Sequence, residues 1–295
     1  MENSRKYLIY THIAIAMFGS ASLFGKLVHQ PALVIVAGRV FFSALALGIF
    51  FAFKRISVKM ESRKDYILML LLGVILAAHW ICFYRSIQDS TVAIALLTFS
   101  TCPIFTTFIE PFFFRQRIRI RDIFTALATF AGVLFVVPKG DISGGMLLGA
   151  VEGIFSGITF SFLSIIEKMC IVKYKGYVIS FYEQFVAFFA VLPFVMVTGI
   201  SGMTVMDLSM LVILALVFTL LSRTLFITGL KGISAQAAGV INSLEPLYGI
   251  VLAAVILDEI PSAGEIFGGI IILSTVMYSS FSTVRDSSNG LDAKG

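Results

Sequence analysis

Residues 90–118, STVAIALLTFSTCPIFTTFIEPFFFRQRI, are answered later in the chain by residues 234–260, SAQAAGVINSLEPLYGIVLAAVILDEI. Each stretch opens on a serine followed by small residues and carries a proline mid-run, Pro103 in one and Pro246 in the other. Downstream, Phe114-Arg115-Gln116-Arg117-Ile118 corresponds to Leu257-Asp258-Glu259-Ile260, and the shift of 143 residues that relates them also relates the two prolines. Neither stretch alternates apolar and polar residues as a barrel strand would. Each is long enough, at about 1.5 Å per residue, to cross a hydrocarbon core roughly 30 Å thick as a helix.

Eight further apolar runs surround these two, giving ten in all: 7–28, 31–53, 66–84, 91–114, 120–138, 146–167, 177–199, 208–229, 235–257 and 263–281. With 58% hydrophobic residues, 13% charged and a mean hydropathy of +0.98, the chain has the bilayer as its solvent. The first run is span-length and leads into more membrane, so it reads as a spanning helix rather than a cleaved signal peptide. The polar tail, 283–295, is rich in Ser, Asp, Gly and Lys and reads as a disordered cytoplasmic segment.

The repeat divides the chain into five-helix units, 7–138 and 146–281. Five is odd, so the second unit enters the membrane from the opposite side, which is the inverted-repeat plan of secondary transporters. Basic residues assign the sides. If both termini face the cytoplasm, seventeen of the 22 Lys and Arg fall on inner segments, including Lys54, Arg55 and Lys59, Arg115 to Arg121, and Lys168, Lys173 and Lys175. The expected fold is therefore all-α and polytopic, with both termini inside. The net charge of +5 belongs to this topology signal and implies no nucleic acid.

In these features the chain resembles the EamA-type members of the drug/metabolite transporter superfamily over residues 7–281. The resemblance rests on Phe18-Gly19-Ser20 with Lys26 at the end of the first helix, on the small-residue entry and internal proline of helices four and nine, and on Leu257-Asp258-Glu259. Phe18 replaces the family's usual tryptophan, and Gln116 replaces its first-half glutamate. The resemblance implies carriage of small metabolites, often export, across a bacterial inner membrane.

Ionisable residues at membrane depth each need a partner or a wet cavity, since a charge at the centre of a span costs roughly 2.5–3.5 kcal/mol on insertion scales. The candidates are Arg39, His79, Glu110, Glu152, Glu183, Arg223 and Glu245. A shift of 144 maps Arg39 onto Glu183 and His79 onto Arg223, so equivalent places in the two units carry different chemistry. Arg39 and Arg223 suit a carboxylate or phosphate through the guanidinium fork. Glu183, Glu245 or Glu110 suit an amine or a coupling proton, since desolvation favours the neutral acid. The alternative is an internal Arg–Glu network that ties helices together. For His79 a hydrogen-bonded packing role is favoured over a proton relay. Trp80, Tyr84, Tyr182 and Tyr248 offer stacking or hydroxyl contacts, and Asn242 with Ser243, Glu245 and Pro246 forms a polar cluster too dense for lipid.

Pro103 and Pro246 are expected to kink their helices and to act as hinges. Gly145, Gly149, Gly153 and Gly157 form a stripe for close helix approach, and Gly264, Gly268 and Gly269 offer a second such surface that suits packing or a homodimer. The three cysteines are scattered and read as packing residues. No GxxxxGK loop, HExxH or GxSxG motif occurs, so an ATP motor and an intramembrane hydrolase lack their signatures. The expectation is a non-enzymatic secondary carrier of amino acids or similar zwitterions, without cofactor or metal, whose partners are its solute and the lipid. The rival within transport is a nucleotide-sugar or phosphorylated-metabolite antiporter. Outside it, the rival is a lipid-modifying enzyme of the membrane.

Overall fold

The computed structural model describes residues 2–114, 120–137, 145–200, 202–229, 241 and 244–292, and every regular element among them is helical. The helices are α1 (Glu2–Ala21), α2 (Phe24–Leu27), α3 (Ala32–Lys54), α4 (Arg63–Asp89), α5 (Val92–Phe99), α6 (Cys102–Phe114) and α7 (Ile120–Val136). They continue with α8 (Gly145–Ile171), α9 (Gly176–Thr198), α10 (Val205–Ala215), a π-helical turn (Leu216–Leu221), α11 (Ser222–Gly229), α12 (Glu245–Ile256) and α13 (Ala263–Asp292).

Seven helical stretches, some made of two elements, are long and apolar enough to span a membrane, and three shorter apolar helices accompany them: Ile123–Val136, Glu245–Ile256 and Ala263–Tyr278. Their outer faces are apolar at helical spacing, with Phe41, Leu45 and Ile49 exposed on α3, and Phe185 and Phe189 on α9. Inside, polar side chains such as Thr11, Ser43, Ser156, Glu183 and Ser222 are wholly buried. Apolar outside and polar inside is the pattern of a protein dissolved in lipid, and the chain is an integral membrane protein.

Helix ends follow local chemistry. The Ser62, Thr91 and Thr204 hydroxyls each accept a backbone N–H of the helix they open. Ser262 and Glu265 cap α13 reciprocally, with Ser262 N donating to Glu265 Oε2 at 2.6 Å and Glu265 N to Ser262 Oγ at 3.2 Å.

The main packing pairs are α4 with α8, α3 with α9, α4 with α9, and α7 with α13. α1 lies against α11 and α12, α5 and α6 against α8, α10 against α3, and α12 against α5. The glycine stripe of α8 faces the end of α4 and the α5–α6 junction. A Cβ on Gly145 would stand 2.7 Å from the Asp89 carbonyl and one on Gly149 2.9 Å from that of Ser86, so only hydrogen fits. Gly264 and Gly268 approach the backbone of α7 at Phe135 and Gly132, and Gly269 meets Leu97. That second glycine surface is covered within the chain.

Three expectations change. The fourth apolar run is not a continuous kinked helix, because it stops at Phe99 and restarts at Cys102, with Pro103 second in the new segment. Proline lacks the N–H that a continuing helix needs but fits a first turn. At the break Ser100 Oγ donates to Leu96 O at 2.7 Å and Thr101 Oγ1 to Thr98 O at 2.6 Å, each beside a backbone N–H on the same carbonyl. Pro246 likewise sits second in α12. The last helix, finally, runs past 281 to Asp292, since extending a formed helix costs far less than nucleating one.

Candidate functional site

Arg39 projects from α3 into the bundle and is 7% exposed. Its Nε donates to Thr219 Oγ1 at 2.9 Å and its Nη1 to the Tyr84 hydroxyl at 3.0 Å. The guanidinium carbon stands 3.9 Å from the centroid of the Trp80 ring. Both hydroxyls have already committed their single hydrogen. Tyr84 donates to Ala21 O at 3.2 Å, and Thr219 donates to Leu214 O at 2.8 Å, five residues back, as the π turn permits. They can therefore only accept from Arg39, which fixes the guanidinium by two hydrogen bonds and a cation–π contact. No carboxylate lies within ion-pair distance of it among the described residues. Thr219 and Tyr84 use two of its five N–H groups.

Glu245 opens α12, where α12 meets α1. A Cβ on Gly19 would lie 2.7 Å from the Glu245 carbonyl and 2.9 Å from Gly249 N, so the glycine of Phe18-Gly19-Ser20 allows this crossing. Arg39 is the charge that acts on the Glu245 carboxyl, which puts an acid and a base within electrostatic reach of one another without an ion pair. Glu245 also acts on Cys102, its counterpart before Pro103 in the first unit. Tyr248, one turn along, bonds His12 Nδ1 through its hydroxyl at 3.1 Å.

A second cluster lies one helical turn beyond Thr219. Arg223 Nη2 donates to Glu167 Oε1 at 2.6 Å, and Glu183, wholly buried, faces both. Among the described residues no N–H or hydroxyl group reaches either Glu183 carboxyl oxygen, and its carboxyl meets that of Glu167. Arg39 and Arg223 thus bind disjoint sets of side chains and do not form one clamp.

His79 lies apart from both. Its Nδ1 sits 3.0 Å from Ser156 O and 2.9 Å from Ser156 Oγ, and its ring packs among Phe83, Phe99 and Phe160. A carbonyl only accepts, so the ring hydrogen is on Nδ1, and the histidine braces the wall that carries Trp80. Tyr182 donates to Val58 O at 2.8 Å near one end of the bundle, away from Arg39. Glu110 is half-buried on α6. Glu152 pairs with Arg85 at 2.9 Å beside the glycine stripe. Asn242 and Ser243 lie outside the described residues.

Both ends of the bundle are tied. At one, Lys26 Nζ donates to Ser90 O at 2.8 Å and lies 3.7 Å from Glu259, whose Oε2 accepts from Val92 N at 2.9 Å; Thr91 adds a bond to Glu265. At the other, Lys173 binds Asp65 at 2.7 Å and Glu61 at 3.0 Å, and Tyr174 donates to Asp65 at 2.6 Å. The Asp65 and Glu61 carboxylates hold the Lys173 ammonium above the usual lysine range. Among the described residues, no three His, Cys, Asp or Glu side chains are grouped to hold a metal.

Thr219 and Glu167 did not stand out in the sequence. A threonine in an apolar run is ordinary, and Glu167 read as the end of a helix that in fact continues to Ile171. The spacing of Thr219 and Arg223, four residues on one helix, was the available signal.

The model of the EamA-like transporter family matches residues 5–137 and again 144–281. An uncharacterized transporter of Bacillus subtilis is 21% identical over 89% of this chain and 85% of its own length. The pseudopaline exporter of Pseudomonas aeruginosa is 22% identical over 90% and 94%, and a mouse solute carrier family 35 member is 22% identical over 91% and 76%. A solved crystal structure superposes with a TM-score of 0.65 over 93% of this chain and 97% of that one, at 15% identity, a likeness of fold.

Proposed function

This chain belongs to the EamA-like transporter family, and we propose that it carries small zwitterionic solutes such as amino acids across a bacterial cytoplasmic membrane by alternating access. Three features support that architecture. Among the described residues, the seven long and three shorter apolar helices fit the ten spans of this reading. The family match falls twice, once on each side of residue 140. The main helix pairings are kept when the five-helix units are exchanged: α4 with α8 becomes α1 with α11, and α3 with α9 and α7 with α13 map onto themselves. Inverted units enclosing a midplane site would pair in this way. With the basic loops inside, both termini face the cytoplasm.

Arg39 carries the reading. A guanidinium taken out of water and held by two neutral hydroxyls and an indole lacks a counter-charge, and a solute carboxylate supplies one through the N–H groups that remain. Glu245, within the field of Arg39 but not paired with it, meets the solute's amine. The binding set is Arg39, Trp80, Tyr84 and Glu245, with Tyr248 on the same wall and His79 behind Trp80; Asn242, three positions before Glu245 in the sequence, is proposed to join it. Pro103 and Pro246, each starting a helical segment, serve as hinges. Export is the direction borne by one named relative. A phosphorylated solute is the second reading, since an unpaired guanidinium suits phosphate as well.

Thermal unfolding of the purified protein against amino acids, nucleotide sugars and cationic drugs tests this. A ligand at a hundred times its Kd stabilises by about 2.7 kcal/mol. Zwitterions should raise the unfolding temperature of the wild type and leave Arg39→Ala unmoved. A response to nucleotide sugars alone selects the second reading, and a response to cations alone overturns both.

A further inference from the structure

Two carboxylates and one guanidinium meet among α8, α9 and α11. Arg223 is bound to Glu167, whose side chain keeps 22% of its surface exposed, while Glu183 is wholly buried, reached by no N–H or hydroxyl donor among the described residues and in contact with the Glu167 carboxyl. Two ionised carboxylates in contact in an apolar interior are an expensive arrangement, and one proton between them turns the contact into a hydrogen bond. Among the described residues, the groups around it offer no other cation. α8 presents Glu167 and Cys170. On α4, Asp65 is taken by Lys173 and Tyr174. On α3, Arg39 is bound to Thr219 and Tyr84, and Lys54 is exposed. The cluster balances its charge with one proton.

We propose that Glu167, Glu183 and Arg223 form a proton-exchange site, in which one proton and one guanidinium are shared between two carboxylates at different depths. In the arrangement seen, Arg223 neutralises Glu167 and Glu183 is the neutral acid. In the exchanged arrangement Arg223 pairs with the Glu183 carboxylate. The proton leaves Glu183 as the guanidinium arrives, is taken by Glu167, and passes from there to water. Glu167 lies about 6 Å from the end of α8 and Glu183 about 10 Å from the start of α9, so the exchange moves the proton toward the aqueous end. The cluster stays neutral until release.

The site is joined to Arg39 through the π turn. Thr219 holds Arg39 and bonds Leu214 across that turn, and Arg223 follows it by four residues. Relaxing the π turn to α geometry rotates the helix beyond it by about 100° relative to the segment before, which carries Arg223 around the axis. A solute that draws Arg39 from Thr219 thereby moves the guanidinium between its two acids. The coupling role rests on the carrier reading; the proton itself does not.

The test is infrared spectroscopy of the protein in lipid vesicles at pH 7 with no solute added, which reads carboxylic-acid carbonyl absorption directly. The wild type should show an acid band that moves on ¹³C-glutamate labelling, that is lost in Glu183→Gln, and that persists in Glu245→Gln. In Glu167→Gln, Arg223 has only Glu183 to pair with, so that variant should lose the same band with Glu183 still present. This second variant keeps the test independent of how well Glu183→Gln folds. No acid band in the wild type, or its survival in Glu167→Gln, overturns the proposal. If the band is found and no solute shifts thermal unfolding, the carrier reading fails alone; solute shifts without the band remove the proton site alone.

Discussion

The Arg39 guanidinium carbon stands over Trp80, 3.9 Å from the ring centroid, while Tyr84 accepts one of its N–H groups at 3.0 Å. A desolvated cation–π contact is worth about 2 kcal/mol, or roughly thirtyfold in affinity. Lysine keeps the charge but loses the planar face and the fork. Arg39→Lys should therefore insert and fold, yet bind the best stabilising solute at least tenfold more weakly in thermal-shift titration. Unchanged affinity would show that charge alone suffices.

Thr219 and Tyr84 hold that guanidinium with hydroxyls whose own hydrogens are spent on Leu214 and Ala21. Removing an acceptor leaves a buried donor unsatisfied at a cost of about 1–3 kcal/mol. Thr219→Val, matched in shape, should lower the unfolding temperature in detergent, and Thr219→Ser should restore most of it. Equal stability of the two variants would mean that the hydroxyl is not what holds Arg39.

Glu259 does two things at one end of the bundle. It lies 3.7 Å from Lys26, a part-exposed pair worth at most about 1 kcal/mol, and it accepts the Val92 N–H that opens α5, a cap worth about 0.5–2 kcal/mol. Glutamine keeps the cap and loses the charge; alanine loses both. The expected order of thermal stability is wild type, then Glu259→Gln close behind, then Glu259→Ala. A glutamine variant as unstable as the alanine one would make the Lys26 ion pair the dominant contact.

Gly149 and Gly48 provide a matched pair on packed helices. A methyl on Gly149 would stand 2.9 Å from the Ser86 carbonyl, whereas one on Gly48 meets only Phe181 at 3.7 Å. Gly149→Ala must push α8 from α4 and should destabilise by about 1–3 kcal/mol. Gly48→Ala should be neutral or gain up to about 1 kcal/mol of helix propensity. Unfolding in detergent reads both, and similar effects would remove the close approach as the reason for the stripe.

Most of the helical architecture was legible because the bilayer imposes length and apolarity on every span, as α3, α4 and α9 show. The prolines marked where helices four and nine change, but not how. Pro103 removes one rung of the helical ladder, but Pro111 and Pro193 do the same inside continuous helices, so a proline alone does not tell a break from a bend. Charged residues at depth were visible singly through their cost in lipid. Their grouping was not, because Arg39 meets Tyr84 and Thr219, and Arg223 meets Glu167, across distances in sequence that no local pattern encodes. The π turn that positions Thr219 leaves no mark in LVFTLL beyond a polar residue in an apolar run.

The central claim is that Arg39 receives the anionic group of a carried solute. Counterflow in proteoliposomes addresses it directly, with vesicles preloaded with an unlabelled zwitterion that stabilises the protein and diluted into the labelled form. The account predicts transient accumulation of label with the wild type and none with Arg39→Ala at equal reconstitution. Equal accumulation by both would contradict it.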